Sequence, residues 1–143
     1  MAVRTYSPGK VVVTVAGQEI NGFADGTFVQ IERVSDGATS QAGADGEVAR
    51  ALSSDQRHRV TLTLQQTSPA NTVLSTLADI DAMTCGGTFP VTVQDLCGDS
   101  LFAAEQAWPV RKANVEYSNE VTTREWVLET GAPTVNLVGG GAA

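Results

Sequence analysis

Basic charge is what this chain has least of. Only two lysines, Lys10 and Lys112, occur among 143 residues, and nine bases face sixteen acids for a formal charge of −7. Tight binding of nucleic acid needs a patch of Lys and Arg to replace counterions, so this balance argues against a surface that grips DNA or RNA. Histidine occurs once, at His58, and cysteine twice, at Cys85 and Cys97, neither in a C-x-x-C or C-x-x-H setting. A tetrahedral Cys/His zinc site therefore cannot be assembled. A disulfide between the two cysteines and a pair of free thiols both remain open, and a reducing cytoplasm favours the thiols. Aromatic residues make up 6% and form no stacking array for single-stranded nucleic acid. No stretch approaches the ~20 apolar residues of a membrane-spanning helix. The opening residues Met1 to Pro8 lack the apolar core of a signal peptide. These readings predict a soluble protein made in a cytoplasm, with no membrane insertion. Charge of either sign is scarce too, at 17% against the ~25% of an average soluble domain. Part of the surface is expected to be covered by other copies of the chain.

The size is that of one domain with a real core, able to bury roughly 68% of the unfolded chain's surface. Short β-branched or alternating runs recur along it. Lys10 to Ala16 reads as a strand, with turn signals at Gly17-Gln18, Asn21-Gly22 and Asp25-Gly26. Between Thr27 and Val34, Val29 and Ile31 share one face. In Arg57 to Gln66, His58, Val60, Leu62 and Leu64 face one way, against Arg57, Arg59, Thr61, Thr63 and Gln65. Further strands are expected over Thr88 to Leu96, Ser100 to Trp108 (interrupted by Pro109) and Val121 to Thr130. In the last of these Thr122, Arg124, Trp126 and Leu128 share a face. One helix is predicted: Ser68 supplies an N-cap, Pro69 sits at the first helical position, and Val73, Leu74, Leu77 and Ile80 recur at helical spacing. Cys85-Gly86-Gly87 ends it, with glycine expected at the left-handed cap. Many short strands with one helix predict a mainly β fold, an antiparallel β-sandwich or barrel with one flanking α-helix.

Two segments depart from this rhythm. Residues 35–46 (SDGATSQAGADG) are small and turn-forming, with almost no large apolar side chain. With the adjoining 47–52 they make an extended loop, 35–52, which either reaches toward a partner or is a mobile surface hairpin with no role. Residues 132–143 end in Gly139-Gly140-Gly141-Ala142-Ala143 and are expected to be a flexible end beyond a domain at 1–131.

The search for catalysis finds nothing. His58 is the sole imidazole base and lies in phase with an apolar strand face, the position of a hydrogen-bonded core residue. Ser53, Ser54 and Asp55 are close in sequence, but no nucleophile elbow accompanies them. Asp79 and Asp81 are two apart on the helix and point about 200° away from each other. Glu116, Glu120, Glu125 and Glu129 are spread over more than one element and read as solvated charge. The Asp-containing loop lacks the ligand spacing of a calcium loop. Gly139 to Gly141 follows no βα unit that would make it a phosphate loop. No enzyme, no metal and no cofactor are expected.

The ordered set of segments does carry a resemblance. Arg4-Thr-Tyr-Ser-Pro-Gly-Lys-Val-Val-Val-Thr-Val, Ile20-Asn-Gly-Phe-Ala-Asp-Gly-Thr-Phe-Val, Gly43-Ala-Asp-Gly-Glu-Val-Ala-Arg-Ala and Val60-Thr-Leu-Thr-Leu-Gln-Gln-Thr-Ser-Pro-Ala-Asn resemble tail tube proteins of contractile-tailed bacteriophages. So do Leu101-Phe-Ala-Ala-Glu-Gln-Ala-Trp and Arg124-Glu-Trp-Val-Leu. The resemblance covers residues from about 3 to 130. It implies a fold shared with the tube proteins of type VI secretion and hexameric rings stacked into a hollow tube inside a contractile sheath. The tube would be the conduit for double-stranded DNA, which passes without specific binding. The implied partners are further copies of the chain, the tail sheath protein, and baseplate and tail-terminator proteins. The implied location is the virion tail, assembled in the host bacterial cytoplasm. A baseplate, tail-tip or adaptor ring of the same fold is the alternative. Within this reading the loop becomes the candidate inter-subunit contact. Asp36, Gln41, Asp45, Glu47, Arg50 and Leu52 are its candidate residues, with Glu47 and Arg50 as ion-pair partners across the interface.

Overall fold

The computed structural model describes residues 3–140. Ten strands and one helix follow each other in the order β1 (Val11–Val15), β2 (Gln18–Glu19), β3 (Val29–Arg33), β4 (Ala38–Ala42), β5 (Val48–Leu52), β6 (His58–Gln65), α1 (Ala70–Thr84), β7 (Phe89–Asp95), β8 (Leu101–Arg111), β9 (Thr123–Thr130) and β10 (Val135–Leu137). Eight strands form one antiparallel sheet in the order β2-β1-β7-β8-β9-β6-β3, with β10 added to β8; β4 and β5 form a separate two-stranded sheet. The predicted mainly β, antiparallel architecture with one helix is present. Barrel closure is not: the sheet ends at β2 on one side and β3 on the other. Beside the β3 edge lies a cleft of about 910 Å³, lined by Val11, Phe28, Ile31, Val93 and Leu137 among others.

The centre of the sheet follows from alternation. On β6, His58, Val60, Leu62 and Leu64 are all buried, and on β9 Arg124, Trp126, Leu128 and Thr130 are buried opposite them. Since successive side chains alternate faces, the second set of each strand points out. Val13, Val15, Val91, Phe102, Ala104 and Ala107 complete the core from the other strands. Helix α1 closes one side of this core with Ala70 and Leu74, and Leu77 packs against it. The Ser68 hydroxyl accepts from the Ala70 N–H (3.2 Å), while Pro69 already has helical φ and ψ, so the expected cap holds. At the other end the left-handed residue is Cys85 itself (φ 56°), where a glycine was expected. Its N–H reaches the Asp81 carbonyl (3.0 Å), a bond that offsets the cost of placing a side chain there. Both cysteines are free thiols, Cys85 exposed and Cys97 partly buried.

Three further expectations change. Pro109 does not end its strand: β8 runs on to Arg111 through a register shift between Pro109 and Arg111, the kind of bulge that tolerates a missing N–H. Residues 35–52 are not an irregular loop but the β4–β5 hairpin. The flexible end predicted over 132–143 is ordered in its described part: Val135, Asn136 and Leu137 pair with Ala103, Phe102 and Leu101. The cause is β8, whose Leu101 half would otherwise have an open side once β9 departs at Thr130. The Gly139 backbone is held as well, its N–H donating to the Ser100 hydroxyl (3.1 Å). Residues 141–143 of that predicted end lie outside the described residues.

Candidate assembly interface

Among the described residues, the β4–β5 hairpin pairs with no other strand. Every residue from Ala38 to Leu52 is exposed. Its tip is a three-residue loop, Ala44-Asp45-Gly46, closed by the Gly43 N–H donating to the Glu47 carbonyl (2.8 Å), with Gly46 at φ 88°. That geometry is the common three-residue hairpin loop with a left-handed glycine, which explains why the sequence reads Ala-Asp-Gly here. The Asp45 carboxylate accepts from the Glu47 N–H (3.1 Å) and fixes the loop. The register pairs Ala38 with Leu52, Ser40 with Arg50 and Ala42 with Val48. Alternation therefore gathers Val48, Arg50 and Leu52 on one face and leaves Gln41 on the other, beside Ala49 and Ala51. Val48 and Leu52 are 67% and 71% exposed, an unusual outlay of apolar surface for a hairpin that pairs with no other strand.

The base of the hairpin is tied to the sheet by a group that the sequence reading passed over except as a failed triad member. Asp55 receives a bidentate pair of bonds from Arg57 (Nε to Oδ1 and Nη2 to Oδ2, both 2.9 Å) and one from the Ser35 hydroxyl (3.0 Å). Its backbone carbonyl accepts from the Arg33 guanidinium (2.7 Å). Arg57 reaches across to Glu129 on β9 (3.2 Å). Asp55 thus joins both legs of the hairpin to β3, β6 and β9. The Arg57 guanidinium, chiefly by hydrogen bonding, holds the Asp55 carboxyl well below the usual carboxylate range, and the Asp55 carboxylate in turn strengthens the hold of Arg57 on its proton.

The six sequence-predicted residues all fall on this exposed arm or at its start. Asp36 precedes β4, Gln41 lies on β4, Asp45 at the tip, Glu47 just before β5, and Arg50 and Leu52 on β5. Glu47 and Arg50 are not joined to each other or to any other charge: the four ion pairs among the described residues involve Arg57, Arg59 and Lys112 with Asp55, Glu129 and Asp79. A second surface went unnoticed in the sequence. Residues 112–122 form an irregular segment between β8 and β9, with Val115 (62%), Tyr117 (78%) and Val121 (65%) exposed.

The side chains weighed for catalysis in the sequence have other partners in the fold. His58 is 6% exposed; its Nδ1 donates to the Gln56 carbonyl (2.9 Å), which leaves Nε2 to accept from the Asn136 amide (3.1 Å), and its ring packs on Phe102. Asp79 pairs with Lys112 (2.7 Å), and Asp81 caps the Gly87 N–H (3.2 Å). No cluster of three metal-ligating side chains occurs among the described residues.

Comparison with known proteins decides the class. The model of the bacteriophage PhiTE tail tube protein family matches residues 3–138. This chain belongs to that family. The match extends through β10, past the stretch where the sequence resemblance ends. A curated relative is "Structural protein ORF10" of Pseudomonas phage KPP10, 31% identical over 132 residues, spanning 87% of this chain and 76% of the relative. Two solved structures share the fold. One is the anti-feeding prophage cap, a tube-terminating cap (TM-score 0.61, 13% identity, 94% of this chain and 93% of the other). The other is the PVC sheath/tube terminator of an extracellular contractile injection system in its extended state (TM-score 0.63, 15% identity, 93% and 97%). The chain is a phage structural protein of the tail tube family, not an enzyme.

Proposed function

We propose that this chain is the repeating subunit of the tail tube. Six copies close into a ring through lateral contacts, and rings stack along the axis into a hollow tube inside a contractile sheath. The tube ends on baseplate and terminator proteins and conducts double-stranded DNA into the host. The observation that carries this reading is the exposed hairpin: an arm fixed at its base, apolar on one face, whose strands pair with no other strand among the described residues. Contacts between unlike patches close around a ring if the rotation allows and run on indefinitely along an axis if it does not. The sheet supplies the lateral component, since β2 and β3 are the two end strands of its order, each paired on one side only among the described residues. The Val34 N–H donates to Arg57 (3.0 Å), so Val29, Ile31 and Arg33 turn their own N–H and C=O groups away from β6. An unpaired edge of this kind is a template for another chain. The hairpin supplies the axial component, with Asp36, Gln41, Asp45, Glu47, Arg50 and Leu52 at or near the contact. The net charge of −7 suits a conduit, because an acidic protein offers DNA no counterion-release adhesion.

A single terminating or adaptor ring is the second reading, favoured by the likeness to the two terminator folds. Copy number separates the two. Quantitative mass spectrometry of purified virions should find this chain among the most abundant proteins, in large excess over one ring. A stoichiometry equal to that of the known single-ring components would overturn the tube reading.

A further inference from the structure

The hairpin and the 112–122 segment lie at opposite ends of the sheet. The hairpin leaves where His58 pairs with Arg33 and Thr130; residues 112–122 run back to where Gln65 pairs with Thr123. Eight residues of β6 separate the two ends, roughly 23 Å at the usual rise per residue. Within one chain the two surfaces cannot meet. In a head-to-tail stack of identical copies along the direction of β6 they would face each other.

Their chemistry matches. The outward face of β5 carries Val48, Arg50 and Leu52, a cation between two exposed apolar groups, and no acid. The far end presents Val115-Glu116-Tyr117 and Glu120-Val121, acids beside exposed apolar groups. Arg50, Glu116 and Glu120 take part in none of the four ion pairs among the described residues. Of the acids near that face, Asp45 is engaged at the tip, Glu47 falls on the opposite parity from Arg50, and Asp36 lies before β4, beyond the last cross-strand pair. The far end is also preformed. The Thr122 hydroxyl donates to the Glu116 carbonyl (2.9 Å), the Thr122 N–H donates to Gln66 (3.1 Å), and the buried Arg124 guanidinium lies under the Tyr117 ring at 5.6 Å. A segment already held in shape loses less freedom on docking.

We propose that residues 112–122 are the receptor for the hairpin of a second copy of this chain. Val48 and Leu52 pack on Val115, Tyr117 and Val121, while Arg50 pairs with Glu116 and Glu120. The proposal rests on the self-assembly reading and names the partner of the arm within it.

Charge exchange tests it. Arg50→Glu alone, and Glu116→Arg with Glu120→Arg, each set like charges against one another and should raise the critical concentration for tube formation roughly tenfold or more. The triple variant carrying all three changes restores opposite charges and should polymerise near the wild-type concentration, as measured by pelleting and electron microscopy. Circular dichroism confirms that each variant is folded. Wild-type tubes alongside unaffected one-sided variants, or a folded triple variant that does not recover, would overturn the docking assignment alone. A wild-type chain that makes no tubes would sink the self-assembly reading and the receptor with it.

Discussion

Removing the hairpin while keeping its base separates assembly from folding. Residues 38–52 would be replaced by Asn-Gly, with the cut placed just inside the pair in which the Ser53 N–H donates to the Gly37 carbonyl (2.9 Å). All of the deleted residues are exposed and none belongs to the core cluster, so no core burial is lost. An isolated two-stranded hairpin is marginal in its own right, and its internal bonds contribute little to the rest. The β3–β6 connection falls to less than half its length, which favours the variant by about 0.6 kcal/mol of closure entropy. Asp55 keeps Arg57, Arg33 and Ser35, so the base remains anchored. The net change in stability should lie within about 1 kcal/mol, equivalent to roughly 2–4 °C in Tm for a chain of this size. Thermal unfolding followed by circular dichroism below the assembly concentration measures it, and pelleting with electron microscopy measures polymerisation. The variant should melt with the wild type and form no tubes. A loss of several kcal/mol would mean that the hairpin belongs to the core, and tubes of normal length would mean that it is not the axial contact.

Two other perturbations probe the parts that hold the arm. Leu62→Ala removes a fully buried side chain at the centre of β6 and should cost about 2–5 kcal/mol in urea denaturation; a loss below 1 kcal/mol would mean that the site collapses or is not core. The Asp55 carboxyl is held below its unfolded value, so its contribution is complete above about pH 4 and is lost as the pH falls through the folded value. The hairpin base should therefore be indifferent to pH between 5 and 8 and loosen only in strong acid, seen as faster amide exchange from Ser35 to Arg57. Asp55→Asn should bring that faster exchange to neutral pH, and unchanged exchange in the variant would contradict the tie.

Much of the fold is legible in the sequence because it is local. The alternation of Val60, Leu62 and Leu64, and of Arg124, Trp126 and Leu128, reports directly which face meets the core. The cap formed by Ser68 and Pro69 likewise depends only on neighbours. What escaped depends on distant partners. Val135 to Leu137 look like a loose tail until the open side of β8 gives them a ladder, and Pro109 looks like a strand end until a bulge absorbs it. The same division holds for the interface. The small residues of 35–46 mark the arm, but its pairing of Ser40 with Arg50, and hence the face that Val48, Arg50 and Leu52 share, needs the register. Asp55 acquires its role from Ser35, twenty residues away, and through Arg57 from Glu129, seventy-two residues from that arginine. The 112–122 segment reads as ordinary solvated sequence; only its position at the opposite end from the hairpin gives it a meaning.

The central claim is that the folded chain carries complementary surfaces that let identical rings stack without limit. Negative-stain electron microscopy of the purified full-length protein tests it most directly. Hollow, open-ended tubes of variable length are the expected result; closed single rings, or monomers at every concentration tried, would contradict it.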